Sequence, residues 1–237
     1  MGKITLGYDD NLGLPSDFAA KIGCEIKPYH DLSQMIDAYD QGQLAAMFIP
    51  AGTLPYISQY EIIAQALFGP DNKSVLQSNF VTTKNMTIEE IKNFSLGRVN
   101  EYCTTSYWAP LIYLIDLVPQ DTVIKFVETN GFEDLLLKTA SGAVDGSTVW
   151  DIYLEKNPTA AKKVHELFHV SNLPTPIIIG NQQFPSELKN NITQFQSEDH
   201  ASFFHNFTAA DLNSINQFKS QIQRARRHFN LKIDEYI

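Results

Sequence analysis

Short apolar runs and helix-period runs alternate along this chain from its start. KITLGY (3–8) reads as a strand, LPSDFAAKIG (14–23) as a helix and CEIKPY (24–29) as a second strand. LSQMIDAYDQG places Leu32, Met35, Ile36 and Tyr39 on one helical face and is ended by Gly42. LAAMFIP (44–50) follows as a third, fully apolar strand. Strand-helix-strand at this spacing predicts parallel, buried strands with helices on the sheet faces. The unit recurs further on. SLGRVN (95–100) leads into TTSYWAPLIYLIDL (104–117), TVIKFVET (122–129) into FEDLLLKTASG (132–142), and AVDGSTVW (143–150) into DIYLEK (151–156).

Two stretches interrupt the alternation. SVLQSNFVTTKNM (74–86) is polar and uncommitted, and SNLPTPIIIGNQQFP (171–185) sets three prolines around one short apolar run. They read as two crossings between lobes, near 78–84 and 171–177. Lobe 1 then holds 1–80 plus 175–237, with helices over 185–195 and 209–229, and lobe 2 holds 81–174. The expected fold class is α/β: two lobes, each a mixed, mostly parallel sheet flanked by helices. A ligand cleft is expected between them, lined by loops that leave the carboxyl ends of the strands.

Charge narrows the function classes. With 43% hydrophobic and 19% charged residues the chain is an ordinary globular one, and a net charge of −9 argues against a nucleic-acid surface. The dense basic run Arg224, Arg226, Arg227 and His228 suits the solvated end of a helix. No apolar run reaches the roughly 18 residues of a membrane span. The start MGKITLGYDD has no basic n-region or apolar h-region, and Leu6 stands where a myristoylation motif wants Ser or Thr. Cys24 and Cys103 are too few for a disulfide framework and lack metal-ligand spacing.

The sharpest motif is His165-Glu166-Leu167-Phe168-His169, which matches the H-E-x-x-H of zinc peptidases. Its context argues against that chemistry. Pro174 and Pro176 would stop a helix soon after His169, and Asn172 and Thr175 stand where the extended pattern wants Gly and His. On a strand, His165 and His169 share a face but lie about 13 Å apart, too far to share an ion. The expectation is a strand, with no metal and no cofactor; a zinc hydrolase is the remote alternative.

NEYCTTSYWAPLIYLID (100–116) carries more chemistry. A strand ends, Thr104, Thr105 and Ser106 occupy the turn, and an apolar helix begins. Hydroxyls there cap a helix, and beside its first N–H groups they also form an anion site without a cationic side chain. The order KITLGY…KIGCEIKPYHDLSQMIDAYDQGQLAAMFIPAGTLPY resembles the N-terminal lobe of phosphate/phosphite/phosphonate-type substrate-binding proteins of ABC transporters. YCTTSYWAP is similar to that family's Ser-Thr-Ser oxyanion loop, LLLKTASGAVDGSTV to its "al..G.vDaa" segment, and AAKKVHELFHVSNLPTP to its late strand into the second crossing. The likeness runs in order through nearly the whole chain.

The resemblance implies a type II periplasmic-binding-protein architecture that closes on ligand by hinge bending. By position it makes Tyr8, Asp9, Thr53, Tyr56, Thr104, Thr105, Ser106, Tyr107, Trp150 and Asp151 ligand-binding candidates, with Thr104–Tyr107 on the oxyanion. Asp145 reads as a structural turn residue. Two departures stand out: Ala46 replaces the family's usual Asp, and Asn130-Gly131-Phe132 replaces its "GSH", which points to a ligand other than the commonest one. The implied function is capture of a small oxyanion ligand (phosphonate, phosphate or a related ester) for an ABC transporter permease. It is a non-enzymatic role, for a monomer in the periplasm or held outside the cytoplasmic membrane, with any signal peptide or lipid anchor outside this sequence. The alternative is a cytosolic enzyme on the same scaffold acting on a small anionic metabolite.

Overall fold

The computed structural model describes residues 4–69, 71–182, 184–199 and 202–231. Its strands in chain order are β1 (Thr5–Asp9), β2 (Glu25–Tyr29), β3 (Ala46–Ile49), β4 (Glu61–Phe68), β5 (Val75–Thr82) and β6 (Ser95–Arg98). Then come β7 (Lys125–Glu128), β8 (Gly146–Trp150), β9 (His165–Pro174), β10 (Ile177–Gly180) and β11 (Phe204–Thr208). The α-helices are α1 (Phe18–Ile22), α2 (Leu32–Asp40), α3 (Ala109–Leu114), α4 (Gly131–Ser141), α5 (Asp151–Lys156), α6 (Pro158–Ala161), α7 (Ser186–Thr193) and α8 (Leu212–His228). The described residues form two compact units, 4–74 with 174–216 and 75–173 with 217–231.

Unit 1 rests on a six-stranded sheet in the order β11-β4-β10-β3-β1-β2. β1 pairs in parallel with β2 and β3, as the crossover helices α1 and α2 require. β10 runs antiparallel to both β3 and β4, and β11 antiparallel to β4. One side of the sheet is packed by rings: Phe18 meets Phe195 at 4.9 Å and Phe207 at 5.4 Å, and Phe48 meets Phe207 at 5.5 Å. α2 begins at Asp31, whose carboxylate accepts from Ser33 N, and buries Leu32, Met35, Ile36 and Tyr39, the face expected from their spacing.

Unit 2 rests on a five-stranded sheet in the order β7-β6-β8-β5-β9. β6 is parallel to β7 and β8, and β5 is antiparallel to β8. α4 lays Leu135 and Leu136 onto Val81 and Val149. A Cβ on Gly97 of β6 would sit 2.5 Å from Leu135, so only glycine lets α4 come this close. On β9, Phe168 lies between Tyr113 (centroids 3.9 Å apart) and Phe80 (4.8 Å), and Phe80 and Phe168 are fully interior.

Several expectations are corrected here. The polar stretch read as a crossing near 78–84 belongs largely to β5, a strand buried over most of its length. Its polar residues are satisfied inside: Ser78 Oγ donates to Thr105 O and Val149 O, and Thr82 Oγ1 to Asp145 O. In the second stretch the chain passes from unit 2 back to unit 1 at Leu173–Pro174, within the 171–177 expected, between the bulk of β9 and β10. The hydrophobic pattern assigns nothing to β4 or β11, which complete the first sheet. Residues from Gln217 onward group with unit 2, whereas the sequence reading puts 209–229 wholly in lobe 1. Arg224 reaches Asp116 at 3.2 Å, and Asp121 N donates to His228 O at 2.8 Å. The H-E-x-x-H residues lie on β9, with His165, Glu166 and His169 exposed and His169 Nδ1 2.9 Å from Glu166. Among the described residues no three His, Cys, Asp or Glu side chains gather as a metal-ligand set. No helix among them is long and apolar enough to cross a membrane.

Candidate functional site

In unit 2 the carboxyl ends of β6, β7 and β8 open at one edge of the sheet, because the three strands run parallel. β5 brings Ser78 opposite Trp150 at that edge. Chain leaving β6 forms one π-helical turn, Thr104–Trp108, and then α3. The sequence explains the wide turn. Pro110 has no N–H to give the carbonyl of Thr105, and the Ser78 hydroxyl supplies that donor at 3.3 Å. The cap is Cys103, not one of the hydroxyl residues: its Sγ accepts the Ser106 N–H at 3.3 Å and lies 3.5 Å from Thr105 Oγ1. Ser106 Oγ accepts from Val99 N at 3.0 Å, clamping the turn to the end of β6. As an acceptor there, the hydroxyl keeps its own proton to donate.

Thr104, Thr105, Ser106 and Tyr107 are all buried, at 4%, 3%, 0% and 6% exposure. Tyr107 is turned to a different task from its neighbours. The Arg98 guanidinium lies 5.0 Å over its ring and 5.6 Å over that of Phe126, and Arg98 also pairs with Glu128 at 3.0 Å. Burial pushes the Tyr107 hydroxyl above its ordinary pKa, with Arg98 partly opposing. Arg98 therefore puts a cation behind a turn that the sequence reading gives none. Trp150 ends β8 and is buried; Asp151 opens α5, where its carboxylate accepts from Ile152 N at 2.9 Å. Asp145 holds Ser95 N and Oγ, the structural role expected of it.

In unit 1 the parallel strands β1, β2 and β3 likewise open at one edge, and it carries the other four candidates. Tyr8 is half-buried on β1, and Asp9 ends that strand at 3% exposure. Asp9 Oδ1 accepts from both the backbone and the side-chain nitrogen of Asn11, each at 3.0 Å. Burial raises the Asp9 carboxyl to about 6; the Asn11 bonds and His30 offset part of that effect and Asp10 adds to it. Thr53 and Tyr56 lie on the 3₁₀ turn Ala51–Tyr56 that follows β3. Thr53 is fully buried, and its hydroxyl oxygen has no hydrogen-bond partner among the described residues. Each unit thus gathers its own candidates at the carboxyl edge of its own sheet.

Neither family models nor curated proteins match the chain. Solved structures do. XAC2383 from Xanthomonas citri, bound to ATP, superposes with a TM-score of 0.78 at 12% identity, covering 96% of this chain and 99% of that one. A binding protein component of an ABC phosphonate transporter from Pseudomonas aeruginosa gives 0.71 at 17% identity, over 98% of this chain and 91% of that one. PhnD1 from Prochlorococcus marinus, in complex with methylphosphonate, gives 0.68 at 15% identity, over 94% and 98%. The Candida albicans CA3427 gene product, described as having the generic periplasmic binding protein fold, gives 0.56 at 11% identity, over 99% of this chain and 77% of that one.

The fold is that of the periplasmic binding proteins.

Within the periplasmic-binding-protein fold this chain builds, unit 2 adds residues that the sequence reading does not single out. Cys103 is hidden because cysteine is not a usual cap, and Ser78 because it lies in a stretch with no clear period. Phe132 and Tyr153 stack with centroids 5.0 Å apart, and Tyr153 lies 6.0 Å from Trp150. Of these, Phe132 has a trace in the sequence, as the last residue of the departing Asn130-Gly131-Phe132. The chemistry offered at the edge of unit 2 is donation by buried hydroxyls and first-turn N–H groups.

Proposed function

We propose that the chain is a solute-binding protein that captures a small ligand bearing a phosphonate, phosphate or related ester group and presents it to an ABC transporter permease. The buried turn Cys103–Tyr107 carries this reading. An anion held by neutral donors in a dry site loses water but gains several short, charge-assisted hydrogen bonds, and each is worth about 1.5–3 kcal/mol. Thr104, Thr105 and Ser106 supply hydroxyls, and the helix start supplies N–H groups. Among the structural neighbours, two are phosphonate-transport or methylphosphonate-bound binding proteins, which supports the same ligand class. The reading places the protein outside the cytoplasm, working as a monomer without catalysis. On this reading Trp150 and Asp151 of unit 2 contact the rest of the ligand, and Tyr8, Asp9, Thr53 and Tyr56 are the binding residues proposed for unit 1.

Calorimetry and thermal melts with methylphosphonate and inorganic phosphate test it. Binding at a hundredfold excess over Kd stabilises by about 2.7 kcal/mol, which raises the melting temperature by several degrees. Thr105→Val is expected to weaken that binding roughly tenfold or more, from loss of one bond to a charged group. A melt unmoved by both anions at millimolar concentration sinks the proposal.

A further inference from the structure

The oxyanion turn of unit 2 has rings for neighbours. Trp150 leaves β8, Tyr153 follows one turn later on α5, and Phe132 opens α4 beside them. Gly131, at φ 85°, makes the sharp entry into α4 that sets Phe132 there, a conformation other residues seldom take. Phe132 and Tyr153 are nearly parallel, 24° apart with centroids at 5.0 Å, and the Trp150 ring lies at 57° to Tyr153 at 6.0 Å. The strand that ends at Trp150, β8, packs against the turn itself.

Such rings could serve only as core. Phe18, Phe80, Phe168 and Phe195 do, all at 6% exposure or less, whereas Tyr113 and Phe126 are partly exposed in their own ring contacts. Phe132 packs one side on the cluster of Val81, Leu135 and Val149, yet it and Tyr153 both stay partly exposed. They do so at the edge where the hydroxyl turn opens. The exposed pair also stands at one of the two places where the sequence departs from the resembling family, with Phe132 in place of a histidine.

We infer that the ligand is an aromatic oxyanion, with its anionic group on the Thr104–Ser106 turn and its ring packed against the exposed part of the Phe132–Tyr153 pair beside Trp150. The inference rests on the binding reading above and specifies its ligand class. Ring stacking favours offset or edge contacts and adds to simple burial, so aromatic and saturated rings of equal size are told apart.

The test compares three probes on the full chain by calorimetry: methylphosphonate, phenylphosphonate and cyclohexylphosphonate. They share a head group and differ in what it carries. Phenylphosphonate is expected to bind about tenfold tighter than methylphosphonate and clearly tighter than cyclohexylphosphonate. Phe132→Leu and Tyr153→Leu should each bring the phenyl-to-methyl affinity ratio close to one. A ratio is insensitive to general weakening of the protein, and either variant suffices if the other fails to fold. Equal affinities for phenyl and methyl, equal affinities for phenyl and cyclohexyl, or a ratio that survives both substitutions would overturn the ring site alone. Binding of none of the three probes would overturn the oxyanion reading and this one with it.

Discussion

Asp9 is a carboxyl at 3% exposure whose partner, Asn11, carries no charge. Its pKa of about 6 against an ordinary 3.8 means that the folded protein holds a proton that the unfolded chain has already released. The sign follows from that. Asp9 contributes most below pH 4, and its contribution is lost as pH rises through 6. At about 1.4 kcal/mol per pKa unit, the loss is on the order of 3 kcal/mol by pH 7. Asp9→Asn keeps an oxygen for the Asn11 N–H and removes the charge. It is expected to raise stability at pH 7 by up to that amount, to leave it little changed at pH 4, and to flatten the slope of denaturation free energy between them. A variant that melts below the parent at pH 7 would contradict this account. The sequence offers Asp9 as a residue at a strand end; its burial depends on neighbours that only the folded sheet brings together.

The Cys103–Trp108 turn sets how the elements of unit 2 meet, since it binds β6 through Val99 and β5 through Ser78. Cys103→Ser keeps a cap acceptor of the favoured type and is expected to hold the melting temperature within about 2 °C. Cys103→Ala leaves Ser106 N without its acceptor and should cost about 1 kcal/mol, or roughly 2–4 °C. Equal melting of the two variants would show that the sulfur does not cap the turn. Much of the element order was legible, because α2 and α4 follow the 3.6 period and β1, β2, β3 and β8 are short runs set between helical segments. The hydroxyl turn was also legible, from Thr104-Thr105-Ser106 between an apolar strand and an apolar helix. β5 was not, because Ser78 and Thr82 are buried polar residues that bond to Thr105, Val149 and Asp145, far along the chain. Arg98 and Tyr153 were missed for a related reason: sequence spacing does not reveal side-chain direction across neighbouring strands.

At the scale of the molecule, the last helix belongs to two units. Phe218, Ile222, Ala225 and Phe229 are buried, and from Gln217 on they group with unit 2. Burying the three larger side chains contributes roughly 5–9 kcal/mol, at about 1.5–3 kcal/mol each. That is comparable to the whole stability of a domain. A chain stopped after Asn216 is therefore expected to lose cooperative unfolding of 75–173, seen as rapid proteolysis within that segment. Parental melting and protease resistance in the shortened chain would refute it.

The strand order of unit 1 has a consequence in time. β10 lies between β3 and β4 in the sheet, but it is made more than a hundred residues after them. At about 5–20 residues per second, a ribosome leaves β3 and β4 without their shared neighbour for roughly 5–25 seconds. During that interval two apolar strands stand with open edges, ready to pair with any other chain. Unit 2 differs, since all five strands of its sheet are made before β10 and only its share of α8 comes later. The first sheet begun is thus the last one finished, and what shields β3 and β4 meanwhile bears on the yield of folded protein.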